Sequence, residues 1–305
     1  MTASTALLGS VRAAFGALID YAGLFPPARL PLEQARIQYQ TASLGPHAWM
    51  LGRFIISASL LIASPDGFAG PFSVIAEGEV DMLNRLGALR KNGARIEAVE
   101  IPLAQSVSPF RKSLSSDEIL DVTGELEVDI VVAGLRDLPV FVEIPRSEAW
   151  RAALSDTIAA LGRMGLGAKL RCGGVTAEAF PSVDEVAEFI AAAQDAKVPF
   201  KATAGLHHPV RRRDERTGFT MHGFLNILAA AALAPRATRE MLCRVVAEEE
   251  PSAFVFDDQS LSWRSERIDL VELTRTRRQA FLGYGSCSFD EPVEDLTALG
   301  LLPPQ

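Results

Sequence analysis

Two short segments place lysine next to glycine in a chain that writes almost every other cation as arginine. They are Lys169-Leu-Arg-Cys-Gly-Gly174 and Lys201-Ala-Thr-Ala-Gly-Leu-His-His-Pro209. Of 30 basic residues only five are lysine: Lys91, Lys112, Lys169, Lys197 and Lys201. Unlike arginine, lysine can shed its proton and attack a carbonyl carbon. Two ammonium groups held close together repel, which is expected to lower the pKa of one and leave a nucleophilic amine near neutrality. The plainer alternatives are a lysine that binds phosphate or carboxylate, or one that pairs with Glu143 for structure.

Other residue types fit the same chemistry. Glu100 and Glu143 each open a Glu-Ile-Pro tripeptide and are candidates for moving protons. Arg171 is placed to clamp an anionic group, or else to ion-pair with Glu143. Gly173 and Gly174 precede an expected helix, so their amides could cradle an anion or simply permit the turn. Thr203 shares a strand face with Lys201. Asp20 is a substrate-binding candidate and with Tyr21 could supply an acid/base pair, with a plug in the barrel floor as the alternative. His207 is a candidate general acid or base. A rival reading has His207 and His208, with Asp257 or another acidic residue, holding a divalent metal. Adjacent histidines diverge, so a wider spacing would suit a metal better.

These residues fall at regular places in the chain. Short apolar, β-branched runs alternate with helical patterns. The expected strands are Leu18–Leu24, Gly52–Ala58, Phe72–Glu77, Ile96–Leu103, Val140–Ile144, Ala168–Cys172, Phe200–Ala204 and Ala253–Phe256. Capping-box pairs, Ser182 with Glu185 and Ser115 with Glu118, mark two helix starts. Val183, Val186, Ile190 and Ala193 then give one buried helical face. A last helix is expected over Ile268 to Leu282, and Gly283–Asp290 reads as a lid or a lock on the tail. Leu225–Ala234 reads as a buried helix, with a subunit interface as the other option. Eight buried strands alternating with helices predict a single α/β domain over residues 1–305. The fold is a (β/α)₈ TIM barrel with an enlarged connection, about 206–250, between strands seven and eight. Active sites of such barrels lie at the C-terminal strand ends, where most of these polar residues stand.

Residues 165–206 resemble the deoxyribose-phosphate aldolase family of class I aldolases, on Lys169 with Gly173 and Lys201 with Gly205. The resemblance implies that Lys169 is the Schiff-base lysine and Lys201 the neighbour that tunes it; no cofactor is expected, a divalent metal being the alternative. Arg171, Cys172 and Ala204 depart from the family pattern, and no glycine-rich phosphate loop follows Phe256.

Composition narrows the classes. The chain is 48% hydrophobic and 22% charged, the balance of a folded globular protein. A net charge of −8 argues against a nucleic-acid partner, and the cluster Arg211, Arg212, Arg213 and Arg216 is too short to reverse that. Three cysteines lack metal-type spacing and fit a reducing compartment. No apolar run is long enough to cross a membrane, and the start does not read as a signal peptide, so a cytoplasmic location is expected. The leading expectation is a lyase of aldolase type acting on a small polar or anionic carbonyl metabolite. A metal-dependent barrel enzyme and a non-catalytic binding subunit are the alternatives, and a homo-oligomer is left open.

Overall fold

The structure is a computed structural model that describes residues 7–64, 70–77, 81–102, 129–131, 133–146, 150–215 and 217–303. The capping pair Ser115 and Glu118, and Arg216 of the arginine cluster, lie outside the described residues.

The barrel strands are β1 (Ile19–Tyr21), β2 (Leu51–Ser57), β3 (Phe72–Ile75), β4 (Ile96–Pro102), β5 (Val140–Glu143), β6 (Gly167–Arg171) and β7 (Phe200–Thr203), joined much later by a last strand, Phe281–Ser286. They form a closed parallel barrel in which that last strand lies between β1 and β7. Helices α1 (Gly9–Phe15), α2 (Leu32–Leu44), α3 (Ala58–Ala63), α4 (Asp81–Lys91), α5 (Trp150–Arg163) and α6 (Val183–Asp195) precede or link these strands. The predicted capping box starts α6: Ser182 donates its amide to Glu185, and the Glu185 amide donates to the Ser182 hydroxyl. The strands are almost wholly buried, as expected where a parallel sheet is covered on both faces.

The eighth strand is not Ala253–Phe256. Residues 204–280 form the connection from β7 to the last strand, so it extends well beyond 206–250. It begins with a hairpin of β8 (Arg212–Arg213) and β9 (Thr220–Met221), followed by α7 (Phe224–Leu233) and α8 (Arg239–Ala247). An antiparallel sheet follows, of β10 (Phe254–Asp257), β11 (Ser260–Trp263) and β12 (Glu266–Asp269), and then α9 (Leu270–Gln279). The last strand becomes β13 and leads into α10 (Asp290–Ala298). An aromatic, β-branched run such as Phe254-Val-Phe looks alike in parallel and antiparallel sheets, whereas Gly283 and Gly285 hide a strand behind low β propensity. Gly283 is required by close packing: a Cβ there would lie 2.8 Å from the Leu18 carbonyl oxygen on the neighbouring chain segment.

The chain divides into two compact units: Met1–Gly52, Cys172–Ala191 and Thr203–Gln305 in one, Arg53–Arg171 and Ala192–Ala202 in the other. In the first, Phe15 of α1 packs against Phe224 of α7 and Phe256 of β10. Every residue of α7 is buried within the chain, so its apolar length needs no subunit interface. Asn226, the polar residue within it, accepts from the Arg211 amide and donates to the carbonyls of Val245 and Glu248. In the second unit, Gly167 makes room for Phe141: a Cβ at 167 would lie 2.7 Å from that ring. No described helix is long and apolar enough to cross a membrane.

Candidate active site

Strand register in the second unit brings the charged residues onto one face. Glu143 is the register partner of Lys169, and Pro102 that of Glu143, so Glu100, two residues before Pro102, shares their face. Ser73 is paired with Ala98, two residues before Glu100, and joins the same face.

The result is a chain of ion pairs. Lys169 Nζ lies 2.7 Å from Glu100 Oε2 and 2.7 Å from Glu143 Oε2. Lys201 Nζ donates to Glu100 Oε1 at 2.5 Å and to Ser73 Oγ at 3.3 Å. The Ser73 hydroxyl donates in turn to Glu100 at 2.6 Å. At the outer end, Arg171 Nη1 donates to Glu143 Oε1 at 3.3 Å. Side-chain exposure rises along this line: 1% at Lys201 and Glu100, 5% at Lys169, 17% at Glu143 and 50% at Arg171. A molecule arriving from the C-terminal ends of β5 and β6 therefore meets Arg171 and Glu143 first, then Lys169, with Lys201 behind it.

The electrostatics correct one expectation. Burial on its own would lower the pKa of Lys169, but Glu100 and Glu143 outweigh it and hold the ammonium above the ordinary lysine value. Burial would raise the Glu100 carboxyl, and Lys169 and Lys201 instead hold it well below the usual carboxylate range. Glu143 is held low as well, by Lys169 and Arg171 against its own burial. Lys169 is thus an ammonium at rest rather than a free amine. The two carboxylates between and beside the lysines reverse the effect expected from lysine–lysine repulsion.

The remaining candidates belong to the other compact unit. Asp20 is buried; its Oδ1 would lie 2.3 Å from a Cβ on Gly52, and its charge opposes the lowering of Arg277, which burial brings to about 10. Arg277 donates to the carbonyls of Phe281 and Gly16. Thr203 accepts the Cys172 amide through its carbonyl at 2.8 Å. Gly173 and Gly174 lead into a single 3₁₀ turn, Ala177–Ala179, ahead of α6. Both glycines sit in close packing. A Cβ on Gly173 would lie 2.8 Å from the Gly205 Cα, and one on Gly174 would lie 2.6 Å from the Ala179 Cβ.

His207 and His208 do not share a ligand. Nδ1 of His207 lies 2.9 Å from Glu291, and Nδ1 of His208 lies 2.7 Å from Asp295, one helical turn further along α10. Asp257, on β10, accepts from the Gln259 amide and the Ser260 hydroxyl. The proposed donor set of His207, His208 and Asp257 is therefore not assembled, and no group of three or more His, Cys, Asp or Glu suited to a metal occurs among the described residues.

Sequence reasoning missed Ser73, Glu291 and Asp295. A lone hydroxyl inside the apolar run Phe72-Ser-Val-Ile was the available signal for the first. The i, i+4 spacing of Glu291 and Asp295, which puts both carboxylates on one face of α10, was the signal for the others. Comparison with protein-family models and with curated proteins yields no match for this chain.

Proposed function

We propose that this chain is a lyase of the aldolase type, acting on a small polar carbonyl compound through an imine at Lys169. The observation that carries the reading is the buried set of two lysines, from adjacent strands β6 and β7, held on Glu100 with Glu143 at its outer side. Buried ion pairs rarely stabilise a protein more than apolar packing would, so a set this large in a barrel favours a chemical role over a scaffold.

The resting ammonium is compatible with imine chemistry because its counter-ions are also proton acceptors. Lys169 passes a proton to Glu143, the more exposed of its two carboxylates. The freed amine attacks the carbonyl carbon, forming the C–N bond while the carbonyl oxygen takes the second ammonium proton. Glu143 then returns its proton to that hydroxyl, and water departs. The iminium carries the same single positive charge as the ammonium, so Glu100 and Glu143 stabilise it without rearrangement. It serves as the sink for the electron pair of the carbon–carbon bond that breaks. Lys201, too deep to meet substrate, keeps Glu100 ionised and in place and is a positioning residue.

The test is reductive trapping. The protein is incubated with small aldehydes and keto acids, borohydride is added, and intact mass and peptide mapping locate any adduct. The expected result is one adduct, confined to Lys169 and lost in Lys169→Arg, which keeps the charge between its two glutamates but offers no attacking amine. An adduct at Lys201 reverses the roles of the two lysines. The absence of any site-specific adduct from a broad panel refutes the imine.

A further inference from the structure

We infer that the carbonyl substrate is a 2-oxo acid, its carboxylate held by Arg171 and its carbonyl carbon presented to Lys169. The inference rests on the imine reading and specifies which carbonyl compounds the site takes.

The geometry of Glu143 carries it. One oxygen of this carboxylate lies 2.7 Å from Lys169 Nζ, and the other accepts from Arg171 Nη1 at 3.3 Å. A single carboxylate group therefore spans the space between the candidate nucleophile and the guanidinium. In a 2-oxo acid the carbonyl carbon is bonded directly to the carboxylate, so one end can reach Lys169 while the other reaches Arg171. A carboxylate or phosphate several bonds from the carbonyl is too far from it for this gap, and a plain aldehyde leaves Arg171 without a partner.

Two further observations agree. Arg171 gives Glu143 a single long bond, and its other donors have no hydrogen-bond partner among the described residues. A planar guanidinium with free donors takes a carboxylate in bidentate fashion, and such charge-assisted pairs are the strong ones. Its side chain is half exposed at the end of β6, where an entering anion meets it first. On binding, the substrate carboxylate takes Arg171 from Glu143, and Glu143, still beside Lys169, is freed to move the protons of imine formation.

The experiment compares trapping yields at Lys169 with pyruvate, acetaldehyde and dihydroxyacetone phosphate at equal concentration, in the wild-type chain and in Arg171→Gln and Arg171→Lys. The wild type is expected to favour pyruvate over acetaldehyde by roughly tenfold or more, the worth of a charge-assisted pair. That ratio should collapse towards one in Arg171→Gln and recover only in part in Arg171→Lys, which restores the charge but not the planar fork. Because the readout is a ratio within each variant, a general loss of folding or of nucleophile does not mimic it. Trapping at Lys169 that favours acetaldehyde or dihydroxyacetone phosphate, or a preference for pyruvate that survives Arg171→Gln, overturns the 2-oxo acid assignment and leaves the imine standing. No adduct with any of the three overturns the imine and the assignment together.

Discussion

Replacing Lys201 by methionine tests whether the buried charges are a coupled set. In the wild type, Lys201 Nζ lies 2.5 Å from Glu100 and is 1% exposed. Removing one member of a buried ion pair costs about 3–5 kcal/mol, because the other charge is left poorly compensated. Glu100 would keep Lys169 at 2.7 Å and the Ser73 hydroxyl at 2.6 Å, which places Lys201→Met near the lower end, at about 3 kcal/mol. At roughly 2 °C per kcal/mol for a chain of this size, the thermal midpoint should fall by about 6 °C. Glu100→Leu should cost at least as much, since it removes a buried carboxylate from beside both lysines. The double variant is the decisive case. With both residues apolar, Lys169 retains Glu143 and no uncompensated charge remains beside it. The double variant should therefore lose less than the two single losses together, with a coupling of at least about 1 kcal/mol. Equilibrium urea unfolding of the four proteins gives these values. Single losses below about 1 kcal/mol, or losses that simply add, would refute the claim that one coupled charge network occupies this face.

Further outcomes follow from the same geometry. Glu100 is held well below the usual carboxylate range in the folded chain, so its contribution is complete above the ordinary value of about 4.3 and fades as pH falls below it. The stability gap between wild type and Glu100→Gln should then narrow on titration from neutrality into acid, and a gap independent of pH contradicts this. Lys169 is held above its ordinary value of about 10.4, so its contribution is complete below that pH and declines above it; unfolding of wild type and Lys169→Met in alkali should converge. Gly167→Ala forces a Cβ to within 2.7 Å of the Phe141 ring and 3.0 Å of the Pro199 carbonyl, and should cost about 1–3 kcal/mol in urea unfolding. Asn226→Leu removes the partner of the Arg211 amide and of two carbonyls in the buried α7–α8 region, and should lower stability by at least about 3 kcal/mol.

Much of the architecture could be read from the residues in order. Strand and helix patterns are local: apolar runs with period two or 3.6, and caps such as Ser182 with Glu185, are set by neighbours a few positions away. That suffices for the barrel and for seven of its strands, and the scarcity of lysine drew attention to Lys169 and Lys201. The eighth strand was not legible, because membership of a sheet depends on which distant segment offers hydrogen bonds. Phe254–Asp257 found an antiparallel partner at Ser260–Trp263, and the glycine-rich Phe281–Ser286 closed the barrel against β1. The chemical state of Lys169 was likewise a tertiary matter. Sequence spacing puts two lysines on adjacent strands, which by itself argues for a lowered pKa. The fold brings Glu100 and Glu143, from 69 and 26 positions earlier in the chain, to 2.7 Å from the same nitrogen. Coulomb energy depends on those through-space distances and on burial rather than on order along the chain, so the order of residues names the groups that are present, while their charge state follows from how the folded chain gathers them.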